Sequence, residues 1–243
     1  MSKRFITDNN NIMKVDNIIE IVGDEVHHIN VLRYKVGDTL YINEYEVMIE
    51  KISKDIIIGK IVGNMPQKGE PPVSITLLQS YLKSDKMEYV VQKAVELGAK
   101  SILPAISKNT VVKFDGKDKL KKKERLIKIA KEAVEQCGRT DSVFIDDIKD
   151  LRNVDFSVYD IVIVCHESSN ISLSKTIDKL KKSIDIKNVA VVIGPEGGLD
   201  ENEVKNILSF KNSFDVSLGE RILRAETASF MILSILSYEF ELN

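Results

Sequence analysis

Between residues 39 and 62, β-branched and aromatic positions come in short runs. Thr39–Ile42, Glu46–Ile52 and Ile56–Val62 are separated by turn-prone pieces, with Gly37-Asp38 before the first and Ser53-Lys54-Asp55 between the last two. That is a strand pattern, and several such strands in a short stretch predict a small antiparallel barrel. A short helix is expected around Gly23–Leu32. Past residue 72 the period lengthens. Val73–Leu78 reads as a buried strand, and Ser84–Leu97 as a helix with Met87, Val90, Val91, Ala94 and Leu97 at helical spacing and Gly98 as its stop. Then follow Ser101–Pro104 (strand), Lys117–Gln136 (helix), Ile161–Cys165 (strand) and Ser172–Ile184 (helix). Val189–Ile193 (strand), Glu201–Leu208 (helix), Phe214–Leu218 (strand) and Ala225–Phe240 (helix) complete the set. The alternation predicts an α/β domain with a mostly parallel sheet covered on both faces.

The two patterns meet at Asn64-Met-Pro-Gln-Lys-Gly-Glu-Pro-Pro72, which holds three of the chain's five prolines and a glycine. Such a stretch disfavours helix and central strand alike, so it reads as a linker dividing a domain at 1–70 from one at 71–243. The 243 residues suffice for two modest cores, and 43% hydrophobic with 30% charged residues is the composition of a folded chain. The longest apolar runs are strand-length and the first five residues lack the apolar core of a signal peptide, so no membrane association is expected. Cys137 and Cys165 provide neither a metal-type spacing nor a disulfide framework, and a cytoplasmic protein is the simplest reading. Net charge is −2, so binding to nucleic acid would require a local basic patch.

Val189–Ile193 ends in Gly194-Pro195-Glu196-Gly197-Gly198, and Asp200 with Glu203 has the spacing of a capping box for the next helix. Glycines at the carboxyl end of a parallel strand lie where open α/β sheets bind ligands, and they let backbone approach a ligand closely. The loop lacks the lysine and hydroxyl residue of a phosphate-binding loop, and Glu196 would repel a phosphate, so a neutral or cationic ligand fits better. Phe214–Leu218 repeats the arrangement: Gly219 breaks the strand and Glu220-Arg221-Ile222-Leu223-Arg224 leads into a helix with Glu226 in its first turn. On spacing alone, Arg221, Arg224 and Glu226 read equally well as surface ion pairs. No Gly-x-Gly-x-x-Gly occurs, so a nucleoside bound here would use another architecture than the dinucleotide fold.

Ile193-Gly-Pro-Glu-Gly-Gly198 followed by Leu218-Gly-Glu-Arg-Ile-Leu-Arg-Ala-Glu-Thr-Ala228 resembles the paired signatures of the SPOUT methyltransferase superfamily. More narrowly, it is similar to the ribosomal RNA small-subunit methyltransferase E family. Arg4-Phe5, His28 with Val31-Leu32-Arg33, Lys93-Ala-Val-Glu-Leu-Gly98 and Glu135-Gln-Cys-Gly-Arg139 resemble family segments in the same order, across almost the whole chain. The resemblance implies a PUA-like N-terminal barrel, a SPOUT-type trefoil-knotted sheet and a homodimer. It also implies S-adenosylmethionine-dependent methylation of N3 of a specific uridine in 16S rRNA, free or in the small ribosomal subunit. The cofactor would sit against His166, Glu167, Gly194, Glu196, Gly198, Leu218, Gly219, Leu223 and Ala228. Lys108-Asn109 stands where the family usually has an arginine, and Asp141-Ser142-Val143 where a proline is customary.

Uracil N3 carries a proton, so its methylation needs a base or a cation that stabilises the anion. Arg224 and Glu226, with Arg221, are the expected catalytic group, the arginines on the uracil oxygens and Glu226 orienting one of them or taking the proton. No metal is required, since His27, His28 and His166 are scattered. For RNA, the basic run from Lys113 to Lys131 offers Lys121, Lys122 and Arg125, followed by Arg139; Arg4 and Arg33 would form a second patch. Three other readings compete: an RNA-binding assembly factor without catalysis, a nucleotide-dependent enzyme such as a kinase, and a methyltransferase for another base, 2′-hydroxyl or RNA. The missing phosphate-binding loop speaks against the kinase, and only the resemblance selects uridine N3.

Overall fold

The computed structural model describes residues 3–66, 70–182 and 186–241. The middle of the expected linker (67–69) and the end of the expected helix Ser172–Ile184 lie outside them. The chain forms two compact units: Met1–Glu70 with Val134–Asp141, and Pro71–Ala133 with Ser142–Asn243.

In the first unit the elements are β1 (Arg4–Phe5), β2 (Ile12–Val15), β3 (Ile18–Val22), α1 (Asp24–Val31), β4 (Thr39–Ile42), β5 (Tyr45–Ile52) and β6 (Ile56–Asn64). The strands form one sheet in the order β1-β4-β5-β6-β3-β2. β1 joins β4 in parallel, and the other neighbours are antiparallel. The pairings show a mostly antiparallel sheet with β1 and β2 at its two ends. Alternation puts Leu40 and Ile42 of β4, Val47 and Ile49 of β5 and Ile57 of β6 on one face, fully buried with Phe5, Ile19 and Ile21. Val26 and Ile29 of α1 cap that core, each aliphatic contributing about 1.5–3 kcal/mol of burial. Two-residue turns, Asp16-Asn17 and Asn43-Glu44, close the β2–β3 and β4–β5 hairpins. Asp16 and Asn43 both have φ of 51°, a left-handed conformation that short polar side chains tolerate.

The second unit contains β7 (Ser74–Ser80), α2 (Lys86–Glu96), β8 (Ser101–Ile106), α3 (Gly116–Cys137), β9 (Phe144–Ile145) and β10 (Lys149–Asp150). It continues with β11 (Ile161–Cys165), α4 (Leu173–Lys182), β12 (Asn188–Ile193), α5 (Glu201–Leu208), β13 (Ser213–Val216) and α6 (Ala225–Glu241). The end of α3, from Val134, belongs to the first unit. The sheet order is β10-β8-β7-β12-β11-β13, with β9 beside β8. All its pairings are parallel, so the carboxyl ends of the strands emerge at one edge. Leu78, Leu103, Val162, Val164, Ala190 and Val192 carry one face of the core, packed with Phe156, Val204 and Ile207. β7 runs two residues beyond its apolar pattern. Gln79 and Ser80 are polar yet wholly buried, and Gln79 remains in register with Ile193. Among the described residues, no helix is long and apolar enough to cross a membrane.

Candidate active site

Three neighbouring strands, β12, β11 and β13, end in loops that share one cavity of about 430 Å3. Its lining contains all nine residues expected around the cofactor: His166, Glu167, Gly194, Glu196, Gly198, Leu218, Gly219, Leu223 and Ala228. Pocket volumes of roughly 300–1,000 Å3 are usual for ligands of nucleoside size and above.

The loop after β12 turns tightly. A Cβ on Gly194 would lie 2.9 Å from the backbone nitrogen of Leu199 and 3.1 Å from the carbonyl carbon of Gly198, so the chain closes on itself only because glycine stands there. Gly198 has φ of +71°, and its N–H donates to the Pro195 carbonyl at 3.0 Å. The capping box expected for α5 is present: Asp200 accepts from Asn202 N at 3.0 Å and Glu203 accepts from Asp200 N at 3.0 Å. From beneath, Gln79 donates its Nε2 to the Gly194 carbonyl at 3.3 Å and to its neighbour Ser80's carbonyl at 3.0 Å. Its Oε1 accepts from Ser229 Oγ of α6 at 2.5 Å. Both side chains are wholly buried, so this network joins the glycine loop to the start of α6.

The loop after β13 is open, and Ile222 within it is 83% exposed. Arg221 and Arg224 line the cavity. Glu226 stands beside the lining, its carboxylate 3.1 Å from Lys86 Nζ, and Lys86 itself lines the cavity. Partial burial pulls the Glu226 carboxyl upward. Its own backbone N–H, the Lys86 ammonium and the nearby Arg224 outweigh that and hold it below the ordinary carboxylate range. At the end of β11, burial pushes the Cys165 thiol up to about 12, so it stands in the wall as a neutral group.

The lining is mixed, with three carboxylates set against the cations of Lys86, Arg221 and Arg224 and apolar surface between them. Glu167, Glu196 and Glu220 bring carboxylates, while Ile193, Leu199, Leu218 and Leu223 bring apolar surface. A Cβ on Gly219 would meet nothing within 4 Å, and one on Gly198 would meet only Glu167 Oε1 at 3.9 Å, so the glycines keep backbone uncovered toward the cavity.

The six residues expected to contact RNA fare differently. Arg33 is exposed, in a left-handed conformation after α1, and Lys121 is exposed on α3. Lys122 lies over the Tyr81 ring at 5.6 Å, and Arg125 pairs with Glu88 at 3.0 Å. Arg4 and Arg139 require correction. Arg4 is 6% exposed, and its guanidinium donates to the carbonyls of Arg139 and Thr140, the latter at 2.6 Å. Arg139 is 3% exposed and pairs with Glu70 at 2.8 Å. Glu70 also accepts the backbone N–H groups of Thr140 and Asp141, and Glu135 accepts that of Ile6. Both arginines therefore bind the end of α3 into the first unit, and neither offers a surface to phosphate. Glu25, His28 and Glu135 bring ligand-type atoms within 4.8 Å of one another in that same unit. Arg4 lies within electrostatic reach of Glu135 and supplies countercharge there.

Sequence reasoning missed Lys86, Gln79, Ser229 and Asn109, the last donating to the carbonyls of Gly197 and Gly198. Lys86 opens a helix just after a strand, a position that would have raised suspicion. Asn109 was marked only as a departure from the family's usual arginine, and Gln79 and Ser229 carry no local signal.

The RNA methyltransferase domain family matches residues 69–237. Ribosomal RNA small subunit methyltransferase E of Bacillus subtilis (strain 168) is 34% identical over 235 residues, covering 91% of this chain and 90% of that protein. The Mesomycoplasma hyopneumoniae (strain 232) protein of the same name is 31% identical, covering 91% and 94%. The crystal structure of the Neisseria gonorrhoeae protein of that name, bound to S-adenosyl methionine, superposes with a TM-score of 0.83 at 25% identity, covering 99% of this chain and 98% of that one. With matches of this extent, the chain belongs to the ribosomal RNA small subunit methyltransferase E family of RNA methyltransferases.

Proposed function

We propose that this enzyme transfers the methyl group of S-adenosylmethionine to N3 of a specific uridine in 16S rRNA. One observation carries the reading: both glycine loops, two arginines and the Lys86–Glu226 pair converge on one cavity at the carboxyl ends of three adjacent parallel strands. When bound, the donor supplies an electrophilic methyl group on a cationic sulfur.

The chain's own residues do the rest. The loops at Gly194–Gly198 and Leu218–Leu223 hold the donor by backbone and apolar contact, and the carboxylates of Glu167, Glu196 and Glu220 complement its positive charge. Holding both reactants in line can supply about 7–11 kcal/mol of barrier reduction in favourable systems. Loss of the N3 proton to solvent water leaves negative charge on the uracil oxygens, Arg224 and Arg221 stabilise it, and N3 then takes the methyl group as the donor's sulfur leaves with the bonding pair. Glu226, held below its ordinary range and paired with Lys86, stays ionised and is a poor proton acceptor at neutral pH. Its part is to orient Lys86 and Arg224. The base must leave its paired stack to present N3. Arg33, Lys121, Lys122 and Arg125 are the basic residues assigned to the RNA, and the chemistry as read needs no metal ion.

We further assign residues 1–70 to a PUA-like RNA-binding domain and 71–243 to a SPOUT domain with a trefoil knot. In support of the knot, the chain leaves β13 at the sheet edge, passes the ends of β11 and β12, and continues into α6, which packs on α2 and β12. A homodimer is supported by the apolar groups left uncovered near α6: Tyr238 is 54% exposed, and Tyr89, edge-on to Phe230 at 5.3 Å, is 49% exposed. We assign the enzyme to the cytoplasm, where it would meet its rRNA substrate, free or in the small subunit.

Calorimetric titration with S-adenosylmethionine, wild type against Gly198→Trp, tests the site; methylation of 16S rRNA or small subunits tests the reaction. Saturable binding abolished by Gly198→Trp, and a methyl-transfer rate reduced at least a hundredfold in folded Arg224→Ala, are expected on the order of magnitude for a lost charge stabiliser. Near wild-type transfer by Arg224→Ala would remove the catalytic assignment.

A further inference from the structure

The glycine loop after β12 is gripped on its outer side by a segment that follows β8, and we propose that Asn109 in that segment is a positioning residue for the methyl-donor site. The segment is ordered by its own turn. Thr110 N donates to the Ser107 carbonyl at 3.0 Å, and Thr110 Oγ1 accepts the Ser107 N–H at 2.9 Å. From this turn the Asn109 carboxamide donates to the Gly197 carbonyl at 3.2 Å and to the Gly198 carbonyl at 3.1 Å, which occupies both of its N–H bonds. A Cβ on Gly197 would stand 3.3 Å from the Asn109 Cβ, so the two chains meet with no spare room. Beside it, Lys108 donates its backbone N–H to Glu203 at 2.8 Å and pairs its ammonium with Asp200 at 2.5 Å. Asp200 and Glu203 are the two residues of the α5 capping box. The grip therefore extends over the loop and the helix start that follows it.

The inference rests on the reading that S-adenosylmethionine lies against this loop. Gly198 belongs to both surfaces: it lines the cavity, and its carbonyl is held from outside by Asn109. A run of glycines has more freedom to lose than any other sequence, and a loop ordered before its ligand arrives does not lose that freedom on binding. Asn109 thus acts on the affinity of the site without touching the ligand. Because the side chain is exposed, its removal disturbs little of the core.

Titration of the full-length protein with S-adenosylmethionine separates the possibilities, with melting temperature recorded for each variant. Asn109→Ala is expected to raise Kd roughly tenfold, the size of one to two neutral hydrogen bonds. Asn109→Asp is expected to be weaker still, because it sets carboxylate oxygens against two carbonyls. Lys205→Ala, which breaks an exposed pair with Glu201 on α5, is the control and should bind as wild type. In steady state Asn109→Ala should raise KM for the donor and leave kcat at saturation within about twofold, whereas a merely structural role would lower melting temperature and kcat with KM unchanged. A Kd within twofold of wild type for Asn109→Ala, while Gly198→Trp abolishes binding, overturns the inference and leaves the site standing. Wild-type protein that fails to bind, or Gly198→Trp that binds normally, removes the site and the inference together.

Discussion

Ser229→Ala tests whether the buried contact between Gln79 and α6 holds the site together. In the wild type the hydroxyl donates to Gln79 Oε1 at 2.5 Å, with the Ala225 carbonyl at 3.0 Å as a second acceptor within reach. Removing the hydroxyl leaves Gln79 Oε1 without that donor, in a place where neither side chain has solvent exposure. An orphaned buried acceptor costs about 1–3 kcal/mol, and the better helix propensity of alanine returns only a few tenths. Taking about 2 kcal/mol, a chain of this size loses roughly 4–8 °C in melting temperature. Gln79→Met keeps the volume and removes the amide. The Ser229 hydroxyl then turns to the Ala225 carbonyl, while the Gly194 carbonyl loses its donor from below. Combining both substitutions should cost less than their sum, since the orphan created by Ser229→Ala no longer exists, with a coupling of about 0.5–3 kcal/mol. Urea or thermal unfolding of the four proteins reads the cycle. A Ser229→Ala penalty below about 0.5 kcal/mol, or strict additivity in the double variant, would refute the argued coupling.

Other consequences can be checked as directly. Glu226 is held below its ordinary value, so its stabilising effect is complete above the unfolded value near 4.5 and lost as pH falls through the lower folded value. Melting curves of wild type and Glu226→Gln should therefore differ above about pH 4.5 and converge at more acid pH; a constant gap down to the acid limit would contradict this. Arg4→Met should lower stability by about 3 kcal/mol in denaturant titration, because it takes a buried charged donor from the Arg139 and Thr140 carbonyls. The same variant should leave the salt slope of RNA binding unchanged, since Arg4 is buried with its guanidinium on backbone carbonyls. Lys121→Ala, by contrast, should reduce that slope by about one in a filter-binding series, as expected for one lost phosphate contact.

The parallel sheet was legible because its strands are buried on both faces and read as unbroken apolar runs, as Ile161–Cys165 and Val189–Ile193 do. The strands that escaped are of two kinds. Ile12–Val15 and Ile18–Val22 carry Lys14 and Glu20 within them and join through Asp16-Asn17, so polarity hid a hairpin. Arg4–Phe5, Phe144–Ile145 and Lys149–Asp150 are two-residue pairings that no periodicity can report. In the site, what was legible came as contiguous loops: every residue expected around the cofactor lines the cavity. What was not came singly from distant elements. Asn109 and Ser229 acquire a role only when β8 and α6 are placed beside the glycine loop, and Gln79 looks like the end of a strand until its amide is seen to be wholly enclosed. Arg4 and Arg139 failed the other way. Cations are read as surface groups by default, and only backbone carbonyls and Glu70 folded around them reverse that.

The strand order also decides when the enzyme can become active as it is made. β7 is synthesised early, yet the neighbour that completes its pairing is β12, with Ser74 set against Asn188, and Gln79 receives its partner hydroxyl only from α6. Local hairpins reward a growing chain at once, whereas such distant partners return nothing until β12 and α6 have been made. The exposed edge of a half-made parallel sheet is then a hazard for association with other chains until β12 takes its place beside β7. A nascent chain halted before α6 would thus hold both glycine loops and still have no working site.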